Sequence, residues 1–277
     1  MSNVDQNPVK LLELEGVSIS QSGREVLHDV TFDIYKGKFI GLIGTNGSGK
    51  TTLLRAILGI ISPSSGHIRF LNSSKQGRSR NIGYVPQKID FDPDMPLRAR
   101  DLVALGLDGN RLGISKRKKS DKLLIDSLVE QVGAADFANS RVGELSGGEQ
   151  QRIMIAHALI SKPELILLDE PLANLDLRSQ VEIVTLVSKL AREGNITVLI
   201  STHDMNPLLP VMDRILYIAN GKVASGEVSE VVTTESLSSL YGHHVEVVNL
   251  KGRILVVPEI EEGGFNFLRG IPGNEDH

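Results

Sequence analysis

Apolar and polar positions change their period several times along the chain, and each change predicts an element. Residues 10–34 alternate short apolar stretches with the turns Gln21-Ser22-Gly23 and Tyr35-Lys36-Gly37, a pattern of antiparallel strands leading into a further strand over 39–43. Residues 51–58 read as a helix that stops at Gly59, with Pro63 beyond it. From 88 to 120 the composition shifts to Asp, Pro and basic residues; over 121–132, Leu124, Leu128 and Val132 recur every fourth position with Ile125 and Val129 alongside, a helical stripe. Residues 88–161 therefore read as a mainly helical insert. Two wholly apolar runs, 165–168 and 196–200, flank a helical stretch near 179–193 and restore the strand–helix–strand order of a parallel sheet. Beyond Leu240, residues 245–248 and 254–257 flank Lys251-Gly252 as a hairpin, and the remainder is rich in Gly and acid. No internal repeat is present. The fold class expected is α/β.

Composition narrows what such a fold can do. A chain of 277 residues holds one large domain, or one domain with a substantial subdomain. With no Cys, disulfide frameworks, zinc knuckles, iron–sulfur clusters and thiol nucleophiles are excluded, and a reducing, intracellular location fits. The apolar runs fall far short of the roughly 18 residues of a membrane span, and the start MSNVDQNPVK is polar, without a signal core. A net charge of −4, a pI near 6.0 and only 4% aromatic residues argue against a phosphate-backbone binder with stacking platforms, so nucleic acid is not the expected partner.

The strongest chemical signal is Gly44-Thr45-Asn46-Gly47-Ser48-Gly49-Lys50-Thr51, which matches G-x-x-x-x-G-K-[ST] and sits after a strand and before a helix, as that motif must. Its glycines let backbone N–H groups converge on phosphate oxygens, and the helix N-terminus adds partial positive charge. Lys50 can reach the β and γ phosphates, and the Thr51 hydroxyl can ligate Mg²⁺. An ordinary glycine turn into a helix would not require the Lys-Thr pair.

Asp169 and Glu170 end the apolar run Leu165-Ile166-Leu167-Leu168, which places two carboxylates at the ligand-binding edge of a parallel sheet. Asp169 is the candidate to hold Mg²⁺ through its water shell, and Glu170 to take a proton from the water that attacks the γ-phosphate. Without a phosphate loop nearby, the same pair would equally well be a solvated strand end. A third motif, Leu145-Ser146-Gly147-Gly148-Glu149-Gln150, contains the S-x-x-E of a capping box. A cap has no need of Gly147 and Gly148, which weaken a helix, whereas bare backbone N–H groups at a helix start suit an anion site.

The phosphate loop and the Ser146 motif together resemble the ATP-binding cassette (ABC) ATPases, whose LSGGQ signature reads here as LSGGEQ. The resemblance covers residues 9–240 and extends to Gln87 as the glutamine loop, Leu175-Asp176 as the D-loop and His203 as the switch histidine. It implies a P-loop NTPase (ABC ATPase) core with an antiparallel β subdomain and an inserted helical subdomain at about 88–161, followed by a C-terminal hairpin and tail over 241–277. It implies ATP and Mg²⁺ as ligands, with Gly44 to Thr52 and Gln87 binding nucleotide, Thr51, Gln87 and Asp169 around the metal, and Lys50, Glu170 and His203 in catalysis. A head-to-tail homodimer is implied as well, in which Ser146, Gly147, Gly148 and Glu149 of one chain face the ATP of the other. Two departures stand out. Asn174 occupies a D-loop position where Ser, Ala or Gly is commoner, and Gln21 stands where the family has an aromatic residue that stacks on adenine.

One copy of each motif excludes the tandem-cassette translation factors, and the 95 residues from Lys50 to Leu145 leave no room for the long coiled coil of the chromosome-maintenance relatives. A transporter subunit remains. Val85-Pro86-Gln87-Lys88-Ile89-Asp90-Phe91, Thr202-His203-Asp204-Met205-Asn206-Pro207 and Leu240-Tyr241-Gly242 look like the manganese, zinc and iron importer ATPases of bacteria. That resemblance implies a peripheral protein on the cytoplasmic face of the membrane, two integral permease subunits and a substrate-binding protein. The alternatives are an importer of another solute, or a soluble ABC ATPase serving assembly, as in iron–sulfur cluster formation. Lys116-Arg117-Lys118-Lys119 reads as a solvated helix start, and His243-His244 as a poor chelate, because adjacent strand residues point to opposite faces.

Overall fold

The computed structural model describes residues 9–71, 82–87, 91–108 and 118–258. Strands β1 (Lys10–Gln21) and β2 (Arg24–Tyr35) form the antiparallel pair that the alternation predicts. After β3 (Phe39–Gly44) and helix α1 (Lys50–Ile57), β4 (Ser65–Phe70) returns to the other edge of β1 and completes a three-stranded antiparallel sheet. Strand β5 (Ile82–Val85) leads into α2 (Ala99–Asp108), α3 (Lys119–Gln131) and α4 (Gly147–Leu159), the helices of the region where the sequence predicts a helical insert.

The main sheet then continues through β6 (Leu165–Leu168), α5 (Leu177–Gly194), β7 (Thr197–Thr202), β8 (Arg214–Ala219) and β9 (Lys222–Gly226). Two short helices, α6 (Val228–Val231) and α7 (Thr234–Tyr241), precede the hairpin of β10 (Val245–Leu250) and β11 (Arg253–Pro258). Several features read from the sequence lie outside the described residues: the polar start, Lys88 to Asp90 of the glutamine-loop motif, Lys116 and Arg117 of the basic run, and the tail from 259 onward. Lys118 and Lys119 do sit exposed at the start of α3, where Asp121 accepts the Lys118 N–H and supplies the negative charge that a helix N-terminus favours.

The central sheet has the order β5-β6-β7-β3-β8-β9, parallel from β5 to β8 with β9 antiparallel at the edge. Its inner strands β6, β7, β3 and β8 are mostly apolar because both faces are covered. The period of two divides them: Ile40, Leu42, Leu165, Leu167, Leu199, Leu216 and Ile218 face α1 and the antiparallel sheet. Phe39, Ile43, Ile166, Leu168, Val198, Ile200 and Ile215 face the core shared with α2 to α5. At roughly 1.5–3 kcal/mol for each large apolar side chain buried, these two layers fix the register of the sheet. A one-residue slip would exchange the faces. Fixed register aligns the C-terminal ends of β5, β6, β7 and β3, with Val85 beside Leu168, Leu168 beside Ile200, and Thr202 beside Ile43.

Candidate active site

Every chemical group singled out near the sheet comes from one of those four strand ends. The phosphate loop follows β3, with Gly47 at φ +78° and Gly49 at φ +109°. Both lie in the left-handed region that only glycine adopts without penalty, and Leu53 N–H already bonds Gly49 O as α1 begins. A Cβ on Gly49 would lie 3.0 Å from Leu27 and 3.2 Å from Val26, so the start of β2 borders the loop. Thr45 and Asn46 are exposed, and Thr52 is half-buried on α1.

The Lys50 side chain, 4% exposed, is held by three oxygens: Gly44 O at 2.8 Å, Thr45 O at 3.1 Å and Glu170 Oε1 at 3.0 Å. Glu170 is the hub of the cluster. Its other carboxylate oxygen accepts from Gln87 Nε2 at 3.4 Å and lies 3.8 Å from His203 Nδ1. Lys50, Gln87, Glu170 and His203, spread over 154 positions of sequence, thus meet at one carboxyl group. Glu170 itself has φ +45°, unusual for a residue with a Cβ.

Asp169 is buried and faces α1 instead, accepting from Thr51 Oγ1 at 3.2 Å. Sequence reading did not find the residue that separates the two acids. Ser201, fully buried at the end of β7, donates its hydroxyl to Asp169 Oδ1 at 2.8 Å and accepts the Glu170 N–H at 2.9 Å. One hydroxyl therefore sets one carboxylate toward Thr51 and holds the strained backbone of the next. The only signal in the sequence was that an apolar strand ends in Ser-Thr. Tyr84 on β5 also adjoins Asp169; burial, and then the negative charge of Asp169, push its phenol above the usual range.

The donor set can be tested against the ligands it would take. The Ser48 hydroxyl in the phosphate loop is buried and has no hydrogen-bond partner among the described residues, a cost that an acceptor such as a phosphate oxygen relieves. Thr51 Oγ1 and Asp169 Oδ1 offer two hard oxygens side by side, the chemistry of a Mg²⁺ site. Both ligands fit.

The Ser146 motif stands apart from this cluster. Ser146 caps α4: its Oγ accepts the Glu149 N–H at 3.4 Å, and its N–H and hydroxyl both donate to Glu149 Oε2, at 2.8 and 2.7 Å. Those bonds hold the Glu149 carboxyl below its usual range. The Ser146 hydroxyl is thus donated within the chain. Gly147 and Gly148 lie against Leu175 and Ser179, where added Cβ atoms would come within 3.6 and 3.7 Å. Asp176 caps α5 through Ser179 N–H and Oγ, both at 2.9 Å, and these bonds lower its carboxyl too. Asn174 has φ +61°, a conformation that Asn adopts more readily than other residues with a Cβ, which accounts for the departure at that position. Gln21 is exposed and pairs with Arg24 across the β1–β2 turn.

With this geometry in view, the comparisons can be read. The family described as ABC transporter matches residues 27–173, a span from β2 through Glu170. The chain belongs to the ABC transporter family. Within it, the chain is 36% identical over 245 residues to the manganese transport system ATP-binding protein MntB of Bacillus subtilis (strain 168), covering 88% of this chain and 96% of that one. It is 30% identical over 247 residues to the chelated iron transport system membrane protein YfeB of Yersinia pestis, covering 88% of this chain and 83% of the other. Among solved structures, a chain of an ABC transporter described as of metal-chelate type, in an inward-facing conformation, superposes with a TM-score of 0.76 at 29% identity, covering 91% of this chain and 98% of that one.

This ABC protein has the P-loop NTPase fold of the family's ATPase domains. It binds nucleotide and is an ATPase coupled to transport. Among the described residues no helix is long and apolar enough to cross a membrane. The His243 ring rests against Tyr241, with centroids 5.7 Å apart.

Proposed function

We propose that this chain powers an importer of divalent metal ions, manganese or zinc, as a head-to-tail homodimer on the cytoplasmic face of the membrane beneath two permease subunits fed by a substrate-binding protein. The observation that carries the metal assignment is the identity to a manganese transport ATP-binding protein along 96% of that protein's length. In this reading residues 9–240 are the ABC ATPase domain, with a helical subdomain at about 88–161, and 241–277 form a C-terminal hairpin and tail.

Each residue of the cluster then has a task. Gly44 to Thr52 cradle the triphosphate, with Lys50 on the β and γ phosphates and the Ser48 hydroxyl donating to a phosphate oxygen. Thr51, Asp169 and Gln87 would hold Mg²⁺, which when bound neutralises charge on the phosphates. Glu170 accepts the proton of the attacking water, and His203 contacts the γ-phosphate oxygen on which charge accumulates. Arrival of a phosphate offers Lys50 a new anion in place of Glu170, which frees that carboxylate for the water. The partner chain supplies its Ser146-Gly147-Gly148-Glu149 helix start to the same phosphate, and Asp176 caps the neighbouring helix. Support for this trans arrangement is that, among the described residues, the Ser146 side chain bonds within its own helix turn and to no member of the Glu170 cluster.

Deleting the gene tests the assignment. Growth under metal chelation fails and cellular manganese or zinc falls; both return with the wild-type gene and not with Lys50→Ala. Normal metal content in the deletion strain, with another solute failing to accumulate, would move the cargo elsewhere. Co-purification with a polytopic membrane protein separates a transporter subunit from a soluble assembly ATPase.

A further inference from the structure

The hairpin β10–β11 turns through Lys251 and Gly252, both with positive φ, and Leu250 and Arg253 are the closing pair. In a two-residue hairpin of this kind the closing pair exchanges the ladder hydrogen bonds, and the next pair, here Asn249 and Ile254, turns its backbone groups outward. The outward groups of Ile254 are both taken by one side chain. Ile254 N–H donates to Asn206 Oδ1 at 2.9 Å, and Asn206 Nδ2 donates to Ile254 O at 3.1 Å.

Asn206 lies three residues after His203, and the same amide ties down the intervening loop. Nδ2 also donates to Asp204 Oδ1 at 2.8 Å, as does the Asn206 N–H at 3.0 Å, while Asp204 N–H bonds Thr202 Oγ1 at 3.1 Å. His203 is thus held between two residues of a loop that is braced against the hairpin. The hairpin is itself anchored. Val245 and Ser238 exchange bonds at 3.0 and 3.3 Å, Tyr241 and Tyr217 hydroxyls meet at 3.0 Å, and Asn220 Nδ2 donates to Tyr241 O at 2.6 Å. Between hairpin and phosphate loop lies a cavity of about 540 Å³ that reaches from Arg253 and Ile254 to Thr45 and His203.

We infer that Asn206 is a positioning residue, through which the C-terminal hairpin sets where His203 meets the γ-phosphate. The inference rests on the assignment of His203 to that phosphate. It makes the hairpin part of the hydrolytic apparatus, with the Asn206 amide standing in for a paired strand at the outer edge of β11. Displacement of a catalytic group by about 1 Å costs up to the order of a hundredfold in rate.

Steady-state ATPase of the intact importer complex tests it with three variants. Asn206→Ala lowers kcat on the order of tenfold or more while KM for ATP holds. Ile254→Pro removes an N–H that lies outside the ladder, at an edge position that tolerates proline, and lowers kcat in the same direction. The double variant is no slower than Asn206→Ala, because both changes break one link. A lower melting temperature with unchanged kcat in Asn206→Ala, or additive losses in the double variant, overturns the inference and leaves Asn206 as a hairpin anchor. If Asn206→Ala does not fold, Ile254→Pro decides alone, and wild-type kcat there is a refutation. His203→Ala serves as the separate control: wild-type turnover in it removes the assignment of His203, whatever Asn206 does.

Discussion

Lys50 Nζ and Glu170 Oε1 stand 3.0 Å apart, with 4% and 10% of their side-chain surfaces exposed. The cation proposed for phosphate and the carboxylate proposed for water face each other across a buried contact. Burying either alone would be costly, and the contact offsets that cost until an anionic ligand replaces one partner.

Glu170→Gln removes the carboxylate charge while keeping the shape. Lys50 then has only carbonyl partners and remains free for phosphate, so ATP affinity is maintained or rises. Hydrolysis falls by roughly 10²–10⁴-fold, the contribution of a general base. Steady-state turnover and nucleotide binding on the same preparation check this, and wild-type turnover would remove Glu170 from the role of base.

Ser201→Ala takes away the hydroxyl shared by Asp169 and Glu170. Leaving buried polar groups unpaired costs about 1–3 kcal/mol, which a denaturant melt measures. Because the lost bonds position the two acids and none touches the phosphate loop, kcat drops while nucleotide affinity changes little. An equal loss in both quantities would mean that Ser201 matters only to folding.

Asp176 gives stability a dependence on pH. The bonds from Ser179 hold its carboxyl below the usual range, so the folded state binds the proton less tightly than the unfolded chain. The cap's contribution is therefore complete above the unfolded carboxylate pKa and is lost as pH falls through the lower, folded value. Asp176→Ala should melt below wild type at neutral pH, with the gap closing as pH falls below the ordinary carboxylate range. Asp176→Asn, which keeps a capping oxygen without the titration, should melt close to wild type at neutral pH and gain on it in acid.

Gln21 at the β1–β2 turn lies on the strand pair that borders the phosphate loop through Val26. The resemblance to ABC ATPases implies that it stands beside adenine in place of a stacking ring. Stacking is worth on the order of 1–3 kcal/mol for each base, so Gln21→Tyr should tighten ATP binding and sharpen rejection of GTP. A contact made equally in ground and transition states lowers KM and leaves kcat unchanged. Equal ATP affinity in the two proteins, with strong GTP rejection by wild type, would show that the base is held elsewhere.

Whatever a short window of residues can enforce is legible in the chain before it folds. The glycine pattern with Lys50 and Thr51 dictates a phosphate loop because its φ angles and donors lie within eight positions. Ser146 and Glu149 close a capping box across one helical turn, and Lys251-Gly252 sets its hairpin register through backbone φ alone. Which distant groups share a hydrogen bond, a charge or a brace depends on long-range packing. Ser201 is 32 residues from Asp169, Gln87 is 83 from Glu170, and Asn206 is 48 from Ile254. No local pattern encodes those contacts. They follow from the strand order β5-β6-β7-β3 and from the hairpin folding back onto the His203 loop. That arrangement is set by burial of apolar faces summed over the whole sheet, to which the polar residues at the strand ends contribute little.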